Sequence, residues 1–162
     1  MAAEHKPLLY IETSVFGFYF DEEPRNAFRR EMVVAMFDQI RLGILEATTS
    51  SRTVLELDRS AEPLRSRLMS LLEDIRLLDI DDSEAERLAG AYLRDGVIPA
   101  AEVEDARHVA YATVGRADVL VSLNLRHLAN EWAVRSIGVV NQREGYQLLS
   151  IRTPEEVIRY ED

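Results

Sequence analysis

The chain of 162 residues contains no cysteine. That excludes disulfides, thiolate metal sites and cysteine nucleophiles, and it fits a reducing compartment. A Gly/Ser/Pro-rich linker, a break in composition, an internal repeat and a low-complexity tract are all missing, so a single domain over residues 1–162 is expected. No apolar run approaches the roughly 20 residues of a membrane-spanning helix. The opening stretch "MAAEHKPLLYIE" has no long apolar segment of the kind that marks a secretory leader. The expectation is therefore a cytoplasmic protein without membrane association. Basic residues are also short: 19 Lys and Arg stand against 29 Asp and Glu, for a net charge of −10. A passive nucleic-acid binder needs a basic footprint, and this chain has none in its bulk charge. An enzyme that approaches phosphates through bound metal ions remains compatible, and its site must be rich in carboxylates.

What is present alternates. "LLYIE" at 8–12 is an apolar run ending in a carboxylate, and the pattern predicts a first strand there. Over 26–41, Phe28, Met32, Met36 and Ile40 recur every fourth position, with Val33 and Phe37 widening the stripe, which predicts a helix stopped by Gly43. A strand is expected at 44–48, and Ser50 or Ser51 suits the cap of the helix that follows. Leu64, Leu68, Leu71 and Leu72 mark another helix, and "IRLLDI" at 75–80 a strand. Asp82 and Ser83 open a helix carrying Ala85, Leu88, Ala89 and Tyr92. "EVEDARHVAYATVG" reads as a helix ending at Gly115, "DVLVSL" at 118–123 as a strand, 125–135 as a short helix and "YQLLSI" as a last strand. "TPEE" at 153–156 is a capping box with Pro at the first helical position. Strands alternating with helices predict an α/β fold, a three-layer α/β/α sandwich around a mostly parallel sheet. Sites in such folds form beyond the carboxyl ends of the strands.

Four polar residues fall where strands end or helices begin: Glu12, Glu56, Asp105 and Asn124. Each has an ordinary explanation. Glu12 suits a solvated strand end, Glu56 an exposed helix face, Asp105 the favourable pole of a helix dipole and Asn124 an N-cap. Together they support a different reading. Three carboxylates drawn to one point repel each other and call for a cation, and hard oxygen donors suit Mg²⁺ or Mn²⁺.

The order of "ETS", the Glu in "TSSRTVLEL", "DARHVAYA" and "VLVSLNLRHLAN" resembles the PIN domain, and within it the VapC-like branch of bacterial toxin–antitoxin ribonucleases. The resemblance covers nearly the whole chain, and its most specific pieces are "DARHVAYA" and "VSLNLRHL". It implies a compact α/β/α fold and divalent-metal-dependent cutting of RNA without a covalent nucleophile. It implies that Glu12, Glu56, Asp105 and Asn124 are the catalytic and metal-holding positions. Thr13 or Ser14 falls on the small hydroxyl after the first acid, and Ser122 on the hydroxyl before the fourth position. An antitoxin partner and a homodimer are further implications. The chain departs from the family pattern twice. Glu12 is one methylene longer than the usual Asp, and Asn124 offers a neutral oxygen where many members carry a charge.

Arg52, Arg107 and Arg126 flank these segments and are candidates to guide RNA, with surface charge balance as the plainer explanation for each. His108 shares a helix face with Asp105 and suits a supporting group, a proton shuttle or helix packing. His127 is read as structural. Phe16, Phe18, Tyr19 and Phe20 are read as core or dimer packing, with base stacking or a partner helix as the alternative. The rival function is a degenerate PIN fold that binds RNA or a protein without cutting. A receiver-like domain fits poorly, because it wants paired acids after the first strand and a late lysine, and the chain's one lysine is Lys6. A haloacid-dehalogenase-like phosphatase wants a second Asp two residues after the first, which "ETS" does not supply.

Overall fold

The computed structural model describes residues 5–160. Residues 1–4 and 161–162, which include the start of "MAAEHKPLLYIE" and both limits of the expected 1–162 domain, lie outside the described residues.

The strands are β1 (Leu8–Ile11), β2 (Glu46–Thr49), β3 (Arg76–Leu77), β4 (Val119–Val121) and β5 (Ser150–Arg152). They form one sheet in the order β3-β2-β1-β4-β5, and every pairing is parallel. The fold is thus the expected α/β sandwich. β1 lies in the middle, with Leu8 opposite Glu46 on one side and Leu9 opposite Val119 on the other. The chain order reverses across β1 and β4, so the crevice beyond their carboxyl ends is the switch point where α/β sheets place ligands.

The helices are α1 (Thr13–Phe18), α2 (Ala27–Arg41), α3 (Ser51–Asp58), α4 (Leu64–Ser70), α5 (Asp82–Arg94), α6 (Val103–Val114), α7 (Glu131–Arg143) and α8 (Pro154–Val157). They cover both faces. Because side chains alternate along a strand, Leu9 and Ile11 of β1 join Val15, Phe16, Val33, Met36, Phe37 and Leu57 on one side. Tyr10 joins Leu88, Tyr92, Val109 and Ala110 of α5 and α6 on the other. Burying each such large apolar side chain contributes about 2 kcal/mol. Phe16 and Phe37 meet edge to face with centroids 5.4 Å apart, and Tyr19 meets Phe37 edge to face at 5.6 Å, so the aromatic run after β1 packs on the core.

Several boundaries differ from the sequence-based expectation. Glu12 is not the last strand residue but the N-cap of α1, its side chain accepting from Ser14 N. The strand expected over 75–80 shortens to Arg76–Leu77, that over 118–123 to Val119–Val121, and the last strand to Ser150–Arg152. By contrast, α5 opens at Asp82 and Ser83 as expected, with Asp81 as its cap. The helix expected over 125–135 starts late, and only residues 131–135 of that range are helical, as the first part of α7. Residues 124–130 form turns in which Asn124 Oδ1 accepts from His127 N at 3.1 Å and Asn130 Nδ2 donates to Leu125 O and Arg126 O. These local bonds satisfy the backbone without a helix, and α7 starts only after the Asn130 cap. Ser50 caps α3 as expected. At the start of α8, Glu156 accepts from Thr153 N and Thr153 Oγ1, both at 2.9 Å.

No helix among the described residues is long and apolar enough to cross a membrane.

Candidate functional site

Glu12 follows the last residue of β1, and its N–H is still drawn to Val121 O of β4 at 3.2 Å. Glu12 is 4% exposed. It accepts from Ser14 N at 3.2 Å and from Ser14 Oγ. Ser14 Oγ in turn accepts from Leu123 N at 3.3 Å. One serine therefore ties the end of β1 to the segment leaving β4. Ser122 is buried, and its Oγ accepts from Asn124 N at 3.0 Å, which shapes the turn that presents Asn124.

Asp105 sits in the first turn of α6, where the helix dipole favours a negative charge. Asn124 Nδ2 donates to Asp105 Oδ2 at 2.7 Å. Burial pushes the Asp105 carboxyl up from its ordinary 3.8 to about 6, and the charges of Glu12 and Glu102 add to the rise. Neither Glu12 nor Asp105 forms an ion pair with a Lys, Arg or His among the described residues.

Glu56, on α3, behaves differently. Its Oε1 is 2.7 Å from His108 Nε2. His108 is 1% exposed, and its Nδ1 is 3.0 Å from Tyr10 Oη. Tyr10 Oη is 2.5 Å from Ser50 Oγ, and Thr13 Oγ1 is 3.3 Å from His108 Nε2. Burial works to lower the His108 imidazolium, but the Tyr10 oxygen, the bond to Glu56 and the charges of Glu12 and Glu56 outweigh it and raise it to about 10. Burial likewise works to raise Glu56, and the His108 bond and charge hold it below the ordinary carboxylate range. His108 and Glu56 are joined by a hydrogen bond, and each shift favours the charged form of its group.

The fold therefore brings all four expected polar positions to the switch point, but in two groups. Asp105 and Asn124, joined by a hydrogen bond, form one, and the charge of Glu12 acts on Asp105 and on His108 alike. Glu56, His108, Thr13, Tyr10 and Ser50 form the other. Among the described residues no three His, Asp or Glu side chains converge closely enough to share one ion. A buried Glu12 and a partly buried Asp105, neither at ion-pair distance from a cation among the described residues, fit a hard divalent ion, while the charge of His108 acts on both. Asn124 turns its amide N–H, not its oxygen, towards Asp105, and its Oδ1 is taken by His127 N.

The arginines divide. Arg52 Nη2 donates to Glu104 at 2.9 Å and 3.2 Å, and its buried Nε has no partner among the described residues. Arg107 is bound to Glu86 at 3.0 Å and to Glu104 at 2.6 Å. Arg126 is exposed, and no side-chain partner is seen for it among the described residues. His127 lies 3.8 Å from Glu102. Tyr10 and Glu104 were not anticipated as part of this neighbourhood. A phenol inside the otherwise aliphatic strand "LLYI" was the available signal for Tyr10; Glu104 had none.

Beside the site, Leu123 and Leu125 flank Asn124 and line a cleft of about 260 Å³ with Phe28, Met32 and Pro154.

No protein-family model matches the chain, and no curated protein does. Solved structures do. A chain of the DNA-bound VapBC structure from Salmonella typhimurium has 17% identity and a TM-score of 0.52, covering 91% of this chain and 98% of that one. A chain of FitAcB from Neisseria gonorrhoeae has 13% identity and a TM-score of 0.52, covering 90% and 97%. At these identities the likeness is one of fold, and it extends over nearly the full length of both neighbours.

Proposed function

We propose that the chain is a metal-dependent endoribonuclease and the toxin member of a toxin–antitoxin pair. The observation that carries this reading is the placing of two like-charged carboxylates, Glu12 and Asp105, at the sheet's switch point, neither within ion-pair distance of a Lys, Arg or His among the described residues. The full-length likeness in fold to VapBC and FitAcB supports the toxin–antitoxin part, in line with the PIN-like motifs of the sequence.

Glu12 and Asp105 would hold a Mg²⁺ or Mn²⁺ ion, which when bound lowers the pKa of a water and offsets the charge that grows on a scissile phosphate. The chain's own residues prepare that place. Ser14 fixes the Glu12 carboxylate through its N–H and hydroxyl, and the same hydroxyl holds the β4 exit at the right distance. Asn124 orients Asp105 by donating to its Oδ2. Arg126 offers an exposed guanidinium two residues from Asn124 for an incoming phosphate. Arg52 and Arg107 are engaged by Glu104 and Glu86, so their part is to hold α3 and α6 together rather than to meet substrate first. The cleft between Leu123, Leu125, Phe28, Met32 and Pro154 suits an apolar segment of an antitoxin lying against the acidic site. A homodimer of the chain is part of the same reading.

A second reading has its own observation. Glu56 is paired with His108, and Asn124 presents an amide N–H, so the acidic groups available to an ion are few. That favours a PIN-like fold that binds RNA or a protein without cutting. Cleavage of RNA by the purified chain decides between them, measured without metal, with Mg²⁺ and with Mn²⁺, and with Asp105→Asn as control. Metal-dependent cutting that disappears in the variant is the expected result. Absence of cutting on several RNAs, together with no heat of metal binding, would establish the binding-only reading.

A further inference from the structure

We infer that Arg52 and Arg107 form a seat for a backbone phosphate of RNA, which the carboxylate of Glu104 occupies and must leave before the strand binds. The inference rests on the RNA part of the reading above and adds to it a competitor for substrate built into the chain.

Two contacts join α3 to α6 like rungs. Arg52 and Glu56 stand four residues apart on α3, and Glu104 and His108 four apart on α6, so each pair shares one helix face. Arg52 meets Glu104, and Glu56 meets His108. The inner contact is closed, with His108 1% exposed. The outer one is open to water, and the Glu104 side chain is 38% exposed. The outer contact therefore lies one helical turn from the Glu56–His108 pair, on the path by which a strand would reach the crevice.

Two guanidinium groups converge on the outer carboxylate. Arg52 Nη2 donates to Glu104 Oε1 at 2.9 Å and to Oε2 at 3.2 Å, and Arg107 Nη1 donates to Oε1 at 2.6 Å. A phosphate is held by arginine forks in the same way as a carboxylate, so the seat suits either. Glu104 fills it incompletely. Arg52 Nε is buried and has no partner among the described residues, and a buried donor without an acceptor is costly. A phosphate brings more oxygens than a carboxylate to meet it. The arginines are the less exposed members of the trio, and Arg107 Nε is also tied to Glu86 of α5 at 3.0 Å and 3.3 Å. Rotation of Glu104 into water thus leaves the seat standing. A chain of net charge −10 repels a polyanion at long range, so its hold on RNA depends on a few local cations. Masking two of them with one carboxylate sets that hold.

The test is fluorescence anisotropy of the full chain with a fluorescein-labelled single-stranded RNA, over a range of salt, in chelator-containing buffer that prevents metal-dependent cutting. Glu104→Gln should bind about tenfold tighter than the parent at low salt, and log affinity should fall more steeply with log salt, by about 0.7 for each phosphate gained. Glu131→Gln is the control: it removes an acid from the exposed Glu131–Arg135 pair and should change affinity by less than about twofold. Adding Arg107→Gln to Glu104→Gln should return the affinity to that of the parent. Circular dichroism confirms folding. Glu104→Asp, which keeps the charge and draws the carboxylate back by one methylene, should shift affinity in the same direction and serves if Glu104→Gln does not fold. No gain, a gain matched by Glu131→Gln, or an equal gain for fluorescein-labelled polyglutamate would overturn the inference and leave the nuclease reading standing. A parent and a Glu104→Gln chain that both fail to bind RNA, and cut none when Mg²⁺ is restored, would overturn that reading and the inference with it.

Discussion

Replacing Asp105 by Asn removes a partly buried charge that is repelled by Glu12 and Glu102 while keeping an oxygen to accept from Asn124, so the variant should be more stable than the parent at neutral pH. Burial and the charges of Glu12 and Glu102 raise Asp105 from 3.8 to about 6. Taken at face value, that rise corresponds to about 3 kcal/mol. The Asp105 side chain is only partly buried, and water screens the interaction, so we expect about 1 kcal/mol. The sign follows from proton linkage. Below about pH 4 both the folded and unfolded states carry the proton, and Asp105 is no burden. Between about pH 4 and pH 6 the folded state binds the proton more tightly, so stability falls as pH rises through this window and stays lower above it. Urea unfolding of both proteins in chelator-containing buffer measures the effect. The variant should exceed the parent by about 1 kcal/mol near pH 8 and match it near pH 4. A variant that is less stable near pH 8, or a difference that ignores pH, would refute the account of Asp105 as a repelled carboxyl. The gain in stability should coincide with loss of RNA cleavage, as expected where a site stores repulsion for use.

His108→Ala should cost about 3 kcal/mol, because it leaves Glu56 without its buried partner, and chemical denaturation reads this directly. Ser50→Ala loses both the cap of α3 and the partner of Tyr10 Oη, and a drop of about 1 to 2 kcal/mol in unfolding free energy is expected. Gly115→Ala should cost about 1 to 3 kcal/mol, since the added Cβ would lie 2.5 Å from Leu78 Cδ1 and 2.9 Å from the Tyr111 carbonyl oxygen; thermal melting checks it. Trp132→Ser should change stability by less than about 0.5 kcal/mol, because the indole is 82% exposed.

The layered α/β fold was legible because periodicity is a local property. Phe28, Met32, Met36 and Ile40 mark α2, and "DVLV" marks β4, without reference to the rest of the chain. Element ends were less legible where side chains compete with the backbone. Asn124 and Asn130 supply bonds that end β4 and delay α7, whereas Leu125 and Leu128 suggest a helix that these bonds pre-empt. The four polar positions could be marked one by one from strand ends and helix starts. Their division into two groups could not. It depends on Tyr10 reaching a histidine 98 positions away and on Glu56 meeting that histidine across 52 positions. Nothing local in "RTVLEL" distinguishes a glutamate that faces an ion from one that faces an imidazolium.

The central place of β1 has a consequence for synthesis. Its partner β4 is met at Leu9 opposite Val119, so the acidic site spans most of the chain's length. A nascent chain presents Glu12 and Glu56 long before Asp105 and Asn124 leave the ribosome, and parallel pairing over such separations forms late. Until β4 docks beside β1, Ser14 has no Leu123 N–H to fix it, and Asp105 has no Asn124 amide. The carboxylate pair is therefore a property of the finished molecule, and a truncated or half-folded chain carries its residues without its chemistry.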